Sequence, residues 1–307
     1  MADDQRPADD PNLPPRPATE AGPVTCYRHP DRPTGLRCSR CNRPICGECA
    51  RPAPVGQLCP DDAGDRVRVR GLPAERRPVV TYSVLALNTL LLLVAAAASG
   101  NGVAGLIDVS NTALCRLGAL NAAAIAESGQ WWRLFTVMVL HAGIIHWALN
   151  SYALYVFGPM LEYALGWARF LALYVGAGFV GAAASFGLNH TQLSVGASGA
   201  IFGLLGALVA FFWKRRRSGG AVLLRNLLVL IALNLFITFS LASIDKLGHI
   251  GGLVAGLGTM ALLDAVPARR RNLQLLALAA PFVLGIALTI YGVATYPTGI
   301  GLPTCVA

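Results

Sequence analysis

Residues 196–217 read GASGAIFGLLGALVAFFWKRRR. A serine, Ser198, opens this apolar run. Small residues follow it at Gly199, Gly203 and Gly206, and the run stops at Lys214-Arg215-Arg216-Arg217. Such a run reads as a helix for a hydrocarbon environment, where every backbone polar group must be satisfied within the segment. A hydroxyl at the head of a membrane helix is costly to keep and marks function.

Outward from this stretch, the chain of 307 residues is 54% hydrophobic and 13% charged, against about 25% charged in soluble domains. Seven apolar spans are predicted, at about 79–99, 140–161, 168–187, 197–213, 221–240, 247–265 and 272–293. Each approaches the roughly 20 helical residues that a bilayer core requires, and the fourth is the shortest. The net charge of +9 comes largely from arginines placed between spans, which encodes topology rather than nucleic-acid binding. Arg66 to Arg77 precede span one, Lys214 to Arg217 follow span four, and Arg269-Arg270-Arg271 follow span six. With seven spans all three clusters share one face, which the positive-inside rule assigns to the cytoplasm. The starts of spans two, four and six then open toward the outer face.

Those three starts carry the chemistry. His249 heads span six, about fifty residues after Ser198. A serine hydroxyl needs a base for its proton, and histidine is the usual one. Gly252 and Gly256 follow His249 at the spacing that lets membrane helices approach backbone to backbone. Spans four and six are therefore expected to touch and to bring Ser198 to His249. On span two, His146 and Asn150 are one helical turn apart and share a face, so both can donate to a developing oxyanion beside the Ser198 amide. His141 is expected nearer the surface, in an outer loop. Asp245, four residues before His249, is expected to cap a helix rather than complete a triad.

These residues resemble the rhomboid family of intramembrane serine proteases over about residues 79–265. The resemblance rests on Trp132-Arg133, His141-x4-His146-x3-Asn150, Gly158-Pro159-Met160-Leu161-Glu162, Gly196-Ala197-Ser198-Gly199 and His249-x2-Gly252-x3-Gly256, all in order. It implies an all-α polytopic bundle, with a six-helix core and one added C-terminal helix. It implies Ser198 as nucleophile, His249 as base, and His146, Asn150 and the Ser198 amide as the oxyanion hole. Trp132-Arg133 would have a structural role. Phe202 would stack on the catalytic histidine where a tyrosine is frequent in the family. Span five and the loop 241–246 would form the route of entry for substrate, itself a transmembrane segment.

The N-terminal region differs. Residues 1–25, with six prolines and five acids, are expected to be a disordered tail. Residues 26–62 hold six of the eight cysteines, as Cys26-x2-His29, Cys38-x2-Cys41, Cys46-x2-Cys49 and Cys59-x2-Asp62. Paired ligands in so short a segment, on the reducing face, point to zinc rather than cystine. The pattern resembles B-box-like zinc fingers with interleaved sites. That implies Cys26, His29, Cys46 and Cys49 on one zinc, and Cys38, Cys41, Cys59 and Asp62 on the other. Asp62 departs from the usual Cys or His, and Asp61 is its alternative. A basic linker, residues 63–78, leads to the spans, and residues 266–307 carry the seventh span and the tail. Cys115 and Cys305 fall on the outer side, their pairing left open.

The expected protein is thus an intramembrane serine endopeptidase of a bacterial plasma membrane, its N-terminus cytoplasmic and its site facing out. It needs no cofactor for catalysis and acts on transmembrane proteins in the bilayer, not on nucleic acid. The rivals are an inactive relative that only binds membrane segments, and a transporter. The first would have lost Ser198 or His249; the second would carry charges at mid-span and inverted repeats.

Overall fold

The computed structural model describes residues 23–52, 56–64, 77–190, 193–218, 220–267, 269–297 and 305. The tail expected over 1–25 lies outside the described residues as far as residue 22, and so does most of the expected linker, residues 65–76. Contacts divide the chain into two compact units between Glu75 and Arg76.

In the first unit, β1 (Thr25–Cys26) pairs antiparallel with β2 (His29–Pro33), and β3 (Arg51–Pro52) pairs with β4 (Gln57–Leu58). A short helix, α1 (Pro60–Gly64), follows. The buried cluster consists of Cys26, Cys38, Cys46, Cys49, Cys59 and one aliphatic residue, Ile45. Two two-stranded ribbons over a single isoleucine bury too little apolar surface to hold together unaided.

The second unit is helical. It begins with α2 (Val79–Ala98), followed by four short helices outside the long spans: α3 (Ala104–Ile107), α4 (Asn111–Leu117), α5 (Ala122–Ala126) and α6 (Arg133–Thr136). A 3-10 turn at Val137–Val139 leads to α7 (Ile144–Leu165) and α8 (Trp167–Leu188). Then come α9 (Ser198–Lys214), α10 (Ala221–Ser240), α11 (Lys246–Ala265) and α12 (Arg271–Thr295). Among the described residues α2, α8, α10, α11 and α12 are long and apolar enough to cross a membrane. The α6 segment and α7 qualify together as a sixth, with a bend of 90° between them. The chain is an integral, multi-pass membrane protein.

The second span is a correction. It was expected over 140–161, but α7 starts at Ile144 and runs to Leu165. Leu140 is extended (φ −93°, ψ 149°) and ends the preceding 3-10 turn. Val137, Met138 and Leu140 are buried inside the protein, so their apolarity serves a packed loop rather than a lipid-facing helix. Composition alone does not separate these two uses.

Burial ranks the helices. In α8, 78% of the apolar window is buried, against 22% in α10. The interior of α8 is largely Gly and Ala, and α9, α11 and α12 pack around it. The closest approach is between α9 and α11. A Cβ on Gly252 would overlap the Gly199 carbonyl, one on Gly256 the Gly203 carbonyl, and one on Gly206 the Leu253 carbonyl. Without a hydrophobic drive between helices in lipid, such backbone contact supplies the attraction.

Buried polar groups hold the remaining joints. Glu162 of α7 accepts from the Val80 and Thr81 amides (2.9 and 2.8 Å) and from the Thr81 hydroxyl (2.8 Å). It thereby caps the start of α2, where Pro78 offers no side chain for the purpose. Ser110 and Asn121 cap α4 and α5. Arg133, 2% exposed, donates to the carbonyls of Cys115 and Ala119 (both 2.8 Å) and to Gln130 Oε1 (2.7 Å). Cys115 of α4 is disulfide-bonded to Cys305, which ties the loop between α2 and α7 to the C-terminal tail.

Substituting Gly256→Val forces α9 and α11 apart. Overpacking of this kind costs about 1–3 kcal/mol or more. A lower unfolding midpoint in detergent is expected for Gly256→Val, while Gly258→Ala, in open space, leaves it unchanged.

Candidate active site

Ser198 is the first residue of α9, so its backbone N–H belongs to the turn for which a helix supplies no acceptor. The segment before it is pinned. Leu120 and Ser194 exchange both backbone hydrogen bonds (2.9 and 3.1 Å), and the Gly196 amide donates to the Val137 carbonyl (2.9 Å). Gly196 has φ 132°, which an L side chain rarely adopts. A Cβ there would also lie 2.7 Å from His146 Nε2 and 3.5 Å from Ser198 Oγ. The glycine therefore leaves open a space on which the hydroxyl and the imidazole converge.

His249 lies in the first turn of α11. Its Nε2 is 2.7 Å from Ser198 Oγ. Its ring stacks on Phe202, with centroids 4.3 Å apart and planes 19° apart. Phe202 follows Ser198 by one turn of α9, so one helix presents both the hydroxyl and the surface that orients the ring. The α9–α11 glycine contact sets this distance. Gly199 and Gly252 are its members nearest the pair.

Asp245 is the N-cap of α11: one oxygen accepts from the Gly248 amide (2.8 Å), the other from the Ser194 hydroxyl (2.7 Å). The group beside His249 Nδ1 is instead the hydroxyl of Thr238, on α10, at 2.9 Å. Sequence reasoning passed over Thr238 and Ser194. The available signal was Asn234-x3-Thr238, two polar residues on one face of a span otherwise built for lipid.

His146 and Asn150 lie one turn apart on α7. His146 Nδ1 accepts from the Ala142 amide (3.4 Å), which leaves the proton on Nε2, the nitrogen that borders the space beside Gly196. Asn150 is buried, and its amide donates to the His146 carbonyl (2.9 Å) with a second N–H to spare. His141 lies in the loop that precedes α7. It is fully buried, its ring edge against His146 with centroids 5.3 Å apart. The reason is that its loop folds back into the protein. Trp132 and Arg133 stand away from the pair, with the guanidinium 4.8 Å over the indole, and buttress α4 as described above.

In the N-terminal unit two ligand sets assemble. Cys26, His29, Cys46 and Cys49 form one, and Cys38, Cys41, Cys59 and Asp62 the other, with donor atoms in each within 4.8 Å of one another. His29 Nδ1 lies 3.4 Å from the sulfurs of Cys46 and Cys49 and 3.8 Å from that of Cys26. Cys41 and Cys59 sulfurs are 3.8 Å apart. Tetrahedral zinc with bonds of about 2.3 Å to sulfur spaces two sulfurs by roughly 3.8 Å, so both sets fit such an ion. Asp62 accepts from the Cys38 and Cys59 thiols (3.1 and 3.2 Å). Hydrogen bonds from Cys41, Cys38 and Cys59 hold its carboxyl at about 2, and the bond to Asp62 first among other causes pushes the Cys41 thiol up to about 12. Asp61 is engaged elsewhere, with Tyr27 (2.9 Å), Arg28 (2.5 Å) and Arg43 (3.1 Å).

Residues 128–265 match the Rhomboid domain. The chain is 36% identical over 216 residues to rhomboid protease GluP of Bacillus subtilis (strain 168), covering 70% of this chain and 41% of GluP. It is 39% identical over 150 residues to the mitochondrial RHOMBOID-like protein 6 of Arabidopsis thaliana, covering 48% of each chain. RHOMBOID-like protein 1 of the same plant is 38% identical over 154 residues, covering 49% of this chain and 39% of that one. The chain thus spans about half the length of the curated relatives it matches or less. The polytopic helical bundle that sets a serine beside a histidine on touching helices is thus similar to the Rhomboid domain over residues 128–265.

Proposed function

We propose that the protein is an intramembrane serine endopeptidase that hydrolyses peptide bonds within transmembrane segments of other proteins. The observation that carries this reading is the 2.7 Å separation of Ser198 Oγ and His249 Nε2 at the starts of two apolar helices. His249 takes the hydroxyl proton as Ser198 attacks the scissile carbonyl. The oxyanion that forms meets the Ser198 amide, His146 Nε2–H and the free N–H of Asn150, donors fixed before substrate arrives. His249 then gives the proton to the departing amine, which leaves an acyl-enzyme. A water, deprotonated by the same imidazole, releases the second product and restores the serine. The matched relative named a rhomboid protease supports this reading, and retention of both Ser198 and His249 favours it over a binding-only relative.

The clusters of basic residues support a cytoplasmic N-terminus and cytoplasmic ends of α9 and α11, with the pair opening toward the outer face. Lys214 and Arg215, at the end of α9, pair with Asp264 at the end of α11, which leaves Arg216 and Arg217 to mark that face. The composition, rich in alanine and arginine, fits a bacterial plasma membrane. In the N-terminal unit the two ligand sets would hold two structural zinc ions, supplying the stability that one buried isoleucine does not.

Ser198→Ala is expected to abolish cleavage of a model transmembrane substrate, a loss of about 10⁴-fold or more, while the unfolding midpoint stays. A fluorophosphonate should label wild type at Ser198. Cleavage retained by Ser198→Ala, or labelling elsewhere, refutes the reading.

Metal analysis of the purified protein should give two zinc ions per chain. Asp62→Ala should lower that toward one, and Cys46→Ser should unfold the N-terminal unit. A metal-free protein whose N-terminal unit remains folded contradicts the zinc assignment.

A further inference from the structure

We infer that Thr238 is a positioning residue that sets the tautomer of His249, and so makes its Nε2 the basic nitrogen. This rests on the reading of Ser198 and His249 as nucleophile and base. A histidine beside a serine serves as a base only if the facing nitrogen carries the lone pair, and the contact at the other nitrogen decides which one does. His249 has no carboxylate there. Its Nδ1 faces Thr238 Oγ1 at 2.9 Å, and both side chains are buried.

A threonine hydroxyl has one proton. In this structure it has an acceptor one turn back on its own helix, the Asn234 carbonyl, at 2.8 Å. Asn234 is itself anchored, its amide donating to the Leu230 carbonyl at 2.8 Å. With that proton committed, Thr238 Oγ1 can only accept at His249. Nδ1 therefore carries a hydrogen, and Nε2 presents its lone pair to Ser198 Oγ at 2.7 Å. The opposite tautomer would point an N–H at the serine oxygen and would need the threonine to abandon its bond to Asn234.

The placement of Thr238 supports a specific role. Helix α10 is the least buried of the long spans, and Val229, Leu233, Phe236 and Phe239 on it are exposed. Its buried residues are Leu224, Leu227, Ile231 and Thr238, a single face on which Thr238 is the polar member at the outer end. The hydroxyl comes from a different helix than either member of the pair. Helix α10 packs on α9, so His249 keeps its partner at Nδ1 while the end of α10 that carries Thr238 stays in place on that helix.

The test compares Thr238→Val, which keeps the branched shape and removes the hydroxyl, with Thr238→Ser, which keeps the hydroxyl. In detergent, Thr238→Val should lower kcat about ten- to a hundred-fold, the effect of leaving one buried N–H without an acceptor, with KM within about twofold. Thr238→Ser should stay within about twofold of wild type in kcat. Nitrogen-15 spectra of histidine-labelled protein, with His249 assigned through His249→Gln, should show the Nδ1–H form in wild type and a mixture or the Nε2–H form in Thr238→Val. Wild-type turnover in Thr238→Val, or an Nε2–H tautomer at His249 in wild type, overturns the inference. The spectra need no activity, so the tautomer result stands if Thr238→Val folds poorly. Cleavage retained by Ser198→Ala would instead sink the enzyme reading itself.

Discussion

The contact between α9 and α11 is the constraint on which the rest depends. Glycines 206, 252 and 256 let two backbones meet where any side chain would collide with a carbonyl, and Gly199 and Gly203 leave little more room on the same face. That approach is what lets two short polar side chains, on separate helices, reach 2.7 Å in a medium hostile to both. Phe202 and Gly196 refine the result: one gives the imidazole a flat surface, and the other keeps the adjoining space open toward His146. A substitution that widened the helix pair by even one methyl would separate the pair without touching it.

The second theme is the placement of polar groups where water is scarce. Glu162, Arg133, Asp245 and Thr238 are buried or half-buried in an apolar protein, and each is bonded to a helix terminus, a loop carbonyl or a ring nitrogen. None lies at mid-span facing lipid. In a bilayer an unmatched polar group costs several kcal/mol, so these bonds fix register rather than merely add stability. Arg133 shows the difference from a soluble surface arginine. It is enclosed by the carbonyls of Cys115 and Ala119 and makes the outer loop rigid enough to hold Leu120 against Ser194, three residues from the turn into Ser198.

The N-terminal unit solves a different problem. It has almost no aliphatic core, and its buried positions are occupied by cysteines that face one another in two groups. The interleaving, in which the first and third pairs meet and the second and fourth meet, makes each group depend on the other. The donor atoms of each group lie within 4.8 Å of one another, the spacing that a single cation requires.

Much of this was legible in the chain. Hydrophobicity and length gave the helices, because a span must satisfy its own backbone. The arginines between spans carried the expectation of sidedness. Glycine spacing named the touching pair, since close approach admits few other residues. Cysteine spacing named both ligand sets, though which aspartate joined the second waited for the salt bridges that hold Asp61. Three things came from tertiary structure alone. Apolarity does not say whether Val137 to Leu140 face lipid or protein, so the start of α7 was misplaced by four residues. The burial of His141 within the protein was not readable, because a loop folded inward has no periodicity. Thr238 was missed because its partner lies eleven residues on, across a turn, and two polar residues on one face of a span do not name what they meet until the helices pack. Sequence fixes what local chemistry and the solvent require of each segment; the meeting of side chains from different helices depends on the angles and depths at which those segments settle, which no single segment encodes.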